Sequence, residues 1–140
     1  MATELKLTVR YAETDMMGIV HHSRYFPWFE AARTEFIKQT GISYSQMERE
    51  GVLLPLSEAG SKYLKGLLYE DIVVVTTRLE QLTVARCKFA YEVYRETEEG
   101  RELCAKGFTI HGFTDNEFRP LNLKKRDEEL WNKLNELVEE

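Results

Sequence analysis

A chain of 140 residues, 43% hydrophobic and 31% charged, has the size and make-up of one soluble globular domain with a single core. Its formal charge of -5 argues against nucleic acid as a main partner, because no basic surplus is available to neutralise phosphates. No apolar run approaches the roughly 20 residues that span a bilayer, and the N-terminus lacks a signal peptide's apolar stretch, so a cytoplasmic protein without membrane insertion is expected.

Leu5 to Tyr11 alternates apolar and polar residues, with Leu5, Leu7, Val9 and Tyr11 on one side, which predicts a strand. A loop holding Asp15 and Gly18 follows, and then a helix. From Tyr25 the apolar residues Tyr25, Phe29, Ala32 and Phe36 recur at spacings of four, three and four and share one helical face. Trp28 widens that stripe, and Phe26 and Ile37 flank it, so the helix belongs in a core. Ser23 is expected to cap it, Pro27 suits a first turn, and Gly41 is a natural stop. Ser43 to Gly51 reads as a short second helix with a serine cap. Val52 to Tyr63, broken by Pro55 and Gly60, reads as an irregular strand.

Three further strands come in close succession. Asp71 to Leu82 is rich in β-branched residues, Ala85 to Arg95 alternates, and Glu102 to Thr114 follows a turn at Glu98-Glu99-Gly100. Their short connections predict an antiparallel meander. Leu123 to Glu140 reads as a charged terminal helix whose thin stripe of Leu130, Leu134 and Leu137 either docks on a partner subunit or frays. There is no internal repeat, linker or low-complexity segment. The expectation is an α+β chain, residues 1–140 as one domain, with antiparallel sheet wrapped around a long central helix and a terminal helix at about 123–140. Cys87 and Cys104 lack metal-ligand spacing and are expected as free thiols.

The junction between loop and helix is where chemistry is expected. Asp15 supplies a carboxylate, and Gly18 lets the backbone turn sharply and approach a ligand. The start of the helix offers free N–H groups and a positive dipole end, which stabilise an oxyanion. A carboxylate within reach of a carbonyl carbon attacks it or deprotonates water, and neither route requires a metal or cofactor. The plain alternatives are that Asp15 braces a turn, that the aromatic stripe is ordinary packing, and that His111, alone in a strand, is a structural histidine. Lys62, Lys65, Arg86 and Lys88 are candidates for an anionic ligand's phosphates.

The run R-Y-A-E-T-D-M-M-G-I-V-H-H-S-R-Y-F-P-W-F-E-A-A-R-T-E resembles the opening of hotdog-fold acyl-CoA thioesterases of the 4-hydroxybenzoyl-CoA thioesterase type, including the Tol-Pal-associated branch. The matching pattern is D-x-x-G-x-V, a polar or aromatic pair, then N or S-x-Y and E-x-A-R. The resemblance implies a hotdog fold and hydrolysis of an acyl-CoA substrate, with Asp15 as nucleophile or as base for water. His22 falls where the helix N-terminus presents a backbone N–H to the thioester carbonyl, and Tyr11 and His22 fall where this branch carries polar side chains near the site. Gly18, Val20 and Tyr25 of the motif would line the substrate, and Lys62, Arg86 and Lys88 would meet the CoA phosphates. A second thioesterase branch uses a helix glutamate, near Glu30, with Thr34 one turn on. The family also implies a homotetramer, a dimer of dimers with sites between subunits.

Two rival readings stand beside this one. A hotdog hydratase or dehydratase carries an H-F-P-type signature, whereas here His21-His22 is followed by Ser-Arg-Tyr. A non-catalytic acyl-CoA or acyl-carrier-protein binding module would use the same cleft without needing Asp15.

Overall fold

The computed structural model describes residues 2–139. Five strands, β1 (Thr3–Thr8), β2 (Leu56–Tyr63), β3 (Ile72–Leu82), β4 (Arg86–Thr97) and β5 (Gly100–Gly112), form one antiparallel sheet in the order β1-β3-β4-β5-β2. The expected meander is β3-β4-β5, with Val75 opposite Val93 and Phe89 opposite Thr109. Helix α1 (Tyr25–Ile37) lies on one face of this sheet, the architecture expected of a hotdog fold.

The period-2 pattern puts Val73, Val75 and Leu79 of β3 and Cys87, Phe89, Tyr91 and Val93 of β4 on the covered face, all buried. Tyr25, Phe29, Ala32 and Phe36 of α1 meet them. Phe29 stacks on Tyr91 with centroids 4.5 Å apart, and Phe36 meets Phe89 edge-on at 5.6 Å. Gly107 of β5 permits this approach, because a Cβ there would lie 2.5 Å from the Phe29 ring. Burying side chains of this size stabilises the fold by roughly 1.5–3 kcal/mol each.

Several boundaries differ from the sequence expectation. β1 ends at Thr8, and Tyr11 sits in a single 3-10 turn (Tyr11–Glu13) instead of extending the strand's apolar side; it is 76% exposed. The helix is entered through a 3-10 turn at His22–Arg24, and the cap is His21, whose Nδ1 accepts from the Ser23 N–H, not Ser23 itself. Gly41, at φ +88°, ends the helix after a further 3-10 turn. Helix α2 (Tyr44–Arg49) is capped by the Ser43 side chain, which accepts from the Gln46 N–H.

The terminal segment forms two helices, α3 (Leu123–Arg126) and α4 (Glu128–Glu136). Asp127 leaves helical geometry between them and caps α4 through the Leu130 N–H. Leu130 and Leu134 are buried in the chain's own core, so this stripe neither frays nor waits for a partner subunit. Glu140 lies outside the described residues. Cys87 and Cys104 are both buried free thiols.

A polar chain crosses the core. Arg33 of α1 donates to the Tyr91 hydroxyl at 3.2 Å, Tyr91 and Thr109 share a 2.6 Å contact, Thr109 lies 2.9 Å from His111 Nε2, and His111 Nδ1 lies 3.0 Å from the Leu54 carbonyl. A carbonyl only accepts, so Nδ1 carries the proton and Nε2 accepts from Thr109, whose oxygen in turn accepts from Tyr91. Protonating Nε2 would set two donors against each other. Burial, with the Arg33 guanidinium adding, pushes the imidazole down to about 4 from an ordinary value of 6.5. The folded pKa lies below the unfolded one, so the stabilisation is complete above the unfolded value and is lost as pH falls through the window from 6.5 to about 4. Stability is expected to fall by roughly 2 kcal/mol between about pH 7 and pH 5 from this group alone. Urea melts at the two pH values check this, and His111→Asn should flatten that slope.

Candidate active site

The Asp15 loop is built by main-chain bonds at both ends. The Asp15 N–H donates to Ile19 O and the Gly18 N–H to Asp15 O, each at 2.9 Å, closing a tight turn that Gly18 completes at φ +81°. Asp15 Oδ1 accepts from the Met17 N–H at 2.8 Å, which fixes the carboxylate over its own turn. Oδ2 has no hydrogen-bond partner among the described residues. Thr14 bridges Val20, Ile19 bridges Leu68, and the Val20 N–H donates to Leu67 O at 2.9 Å. The loop is thereby stitched to the segment that follows β2.

Between loop, helix entry and that segment lies a cleft of about 320 Å³, lined by Asp15, Ile19, Val20, His22, Tyr25 and Tyr63 together with Met17 and residues 64–66. Asp15 is half-buried at its edge. Tyr63 closes the far side, touching Tyr25 edge-on at 4.9 Å, and its hydroxyl donates to the His22 carbonyl at 3.3 Å. Burial first, with Cys104 and Tyr63 nearby, pushes the Tyr25 phenol up to about 12, so it stays a neutral hydroxyl at any working pH. Among the described residues the His22 N–H has no acceptor, whereas those of Ser23, Arg24 and Tyr25 are all taken. One free N–H therefore marks the start of the helical run that continues into α1.

The cleft brings together Asp15, Val20, His22 and Tyr25 of the residues singled out in the sequence, and Gly18 shapes the turn beside it. Tyr11 is not among its lining; its ring packs on Tyr69 at 5.7 Å. Glu30 is exposed on α1 and also lies outside the lining, with its carbonyl accepting from the Thr34 hydroxyl at 2.9 Å. Lys62 and Lys88 line a separate groove of about 570 Å³ with Arg78, Lys106 and Phe108. Arg86 borders a third hollow, beside Gln81 and Thr83. Of the basic candidates only Lys65 lines the Asp15 cleft, where its Nζ also pairs with Glu102 at 3.3 Å.

Two contributors were not apparent in the sequence. Tyr63 gave no signal beyond ending an irregular strand. Glu13 is 5% exposed, and its carboxylate accepts from the Trp28 indole N–H and the Arg10 main-chain N–H, both at 2.8 Å. Burial pushes its pKa up, but those hydrogen bonds and the Arg10 guanidinium outweigh it and hold the carboxyl below the usual range. The signal available was a charged residue two positions before Asp15, in register with an aromatic helix.

Residues 9–134 match the thioesterase-like superfamily. YneP of Bacillus subtilis, provisionally named an acyl-CoA thioesterase, is 39% identical over 121 residues, 86% of either chain. The acyl-acyl carrier protein thioesterase ATL3 of Arabidopsis thaliana is 31% identical over 120 residues, covering 86% of this chain and 62% of its own. The structure of a DHNA-CoA thioesterase from Staphylococcus aureus superposes with a TM-score of 0.85 at 32% identity, over 97% of this chain and 92% of that one.

Proposed function

The chain belongs to the thioesterase-like superfamily and has the hotdog thioesterase fold, and on that premise we propose that the Asp15 cleft hydrolyses acyl-CoA thioesters, R–CO–S–CoA plus water giving R–COOH and CoA–SH. As a thioester hydrolase it needs a group that attacks and a group that holds the oxyanion. The observation that carries the reading is that one small cleft is lined both by the half-buried Asp15 and by His22, whose helix-terminal N–H has no acceptor among the described residues. In this mechanism the thioester oxygen turns to the His22 N–H. The free oxygen of Asp15 attacks the carbonyl carbon or takes a proton from the attacking water. The tetrahedral intermediate's negative charge meets the N–H and the positive end of the helical run. The C–S bond then breaks. Where water attacked, Asp15 returns its proton to the CoA thiolate. Where Asp15 attacked, water hydrolyses the acyl-aspartyl anhydride to the free acid and the carboxylate, and the thiolate takes the proton that this water gives up.

Val20 and Tyr25 line the acyl end in this reading, with Gly18 shaping the turn beside it, and within the superfamily the motif favours the 4-hydroxybenzoyl-CoA thioesterase type. Lys65 is the cation best situated to meet the CoA phosphates within one chain. Lys62, Arg86 and Lys88 reach them only from a neighbouring subunit, in a homo-oligomer built as a dimer of dimers. Exposed Met16, Met17, Leu68 and Tyr69 support such association, since an apolar group of this kind beside a cleft favours a covered surface. Residues 1–140 act as one catalytic domain in this account.

Thiol release, followed with a thiol-reactive dye on short-chain, long-chain and aromatic acyl-CoAs, tests the reading. Turnover is expected on at least one class. No turnover on any of them, with the CoA esters still bound, would instead make this a binding module.

A further inference from the structure

Glu13 is the only buried carboxylate among the described residues, and every acceptor it has is used on the active-site loop or the helix beside it. Oε1 takes the Arg10 N–H and Oε2 the Trp28 indole N–H, each at 2.8 Å, while the Arg10 guanidinium lies 3.5 Å from Oε2. Its carbonyl takes the His21 N–H at 2.9 Å. Trp28 stands in the first turn of α1, its ring 5.1 Å from that of Tyr25, which lines the cleft. Asp15 therefore hangs two residues from one side of this hub. The His22 N–H hangs one residue from the other, beyond His21.

Resting on the hydrolytic reading above, we propose that Glu13 is a positioning residue: its carboxylate sets the separation between the Asp15 carboxylate and the His22 N–H donor. It touches no substrate; its carboxylate acts through Trp28 and Arg10, while its main-chain carbonyl carries the resulting position to the His21 N–H. A neutral amide cannot replace it, because Gln offers one acceptor oxygen and turns an NH2 group towards the second donor. Misplacing a reacting group by about 1 Å costs on the order of a hundredfold in rate, so the effect falls on turnover, not on affinity.

Two variants separate positioning from mere stability. Glu13→Gln breaks one of the two bonds. The paired change Glu13→Leu with Trp28→Phe removes the buried indole N–H together with its acceptor and leaves only the main-chain N–H of exposed Arg10 to turn to water, which keeps the cost to folding small. Both are expected to lower kcat by about 10- to 100-fold with KM within about threefold, and the pair to melt near wild type. Amide hydrogen exchange at Asp15, Gly18 and His21 should speed up in both by a similar factor. Wild-type kcat in the folded pair, or unchanged exchange at those three amides in Glu13→Gln, would overturn the proposal. The exchange arm needs no substrate. If wild type releases no thiol, the hydrolytic reading has failed, and Glu13 as a positioning residue of that reaction fails with it; unchanged exchange in an active enzyme overturns the Glu13 proposal alone.

Discussion

Asp15→Asn is expected to lower kcat by about a hundredfold or more without disturbing the fold. Asn keeps an oxygen where Oδ1 accepts the Met17 N–H, and the turn's other bonds are main-chain, so the loop retains its shape. What disappears is the negative charge and the basicity of the second oxygen, the one without a partner among the described residues. An amide neither attacks a thioester at a useful rate nor takes a proton from water at neutral pH. Glu30→Gln is the matched control. Its side chain is exposed and does not line the cleft, so kcat should stay within about threefold. Thiol release and melting temperature, measured on both variants beside wild type, decide the matter. A collapse confined to Glu30→Gln would move the chemistry onto the helix.

The second large effect separates a backbone group from a side chain. His22→Pro should cost about a hundredfold in kcat, while His22→Ala should cost no more than about threefold. Proline suits this position: His21 is extended at φ −66°, ψ 141°, as a residue before proline prefers, and His22 is the first residue of the helical turn. The N–H it deletes has no acceptor among the described residues, so the fold loses no hydrogen bond and only the proposed oxyanion donor is removed. The imidazole is exposed against the His21 ring, with centroids 4.1 Å apart, and its loss leaves that donor untouched. If Ala proves as damaging as Pro, the ring and not the main chain is the working group.

The parts of this molecule that repeat were the parts legible in sequence. Period-2 alternation in β4 and four-three-four spacing in α1 report which face is covered, and burial at Phe89, Tyr91, Phe29 and Phe36 follows both patterns. Asp15 and Gly18 were legible because a tight turn demands such residues locally. Tyr11 misled because alternation continued past the point where main-chain bonds to Glu13 and Thr14 turn the chain away. The grouping of Lys62 and Lys88 on a groove away from Asp15 depends on which side of the sheet each residue faces. Periodicity gives relative faces within one strand, but not which of them an active-site loop shares. Glu13 and Tyr63 depend on contacts across 15 and 41 residues, which no local pattern encodes.

The most direct measurement is a single turnover: enzyme in excess over an acyl-CoA it binds, quenched over time, with intact ester, free acid and CoA quantified by mass. Wild type is expected to convert the bound ester fully to equal amounts of acid and CoA, while Asp15→Asn holds it intact over the same interval. Ester that remains bound and whole in wild type would contradict hydrolysis at this cleft.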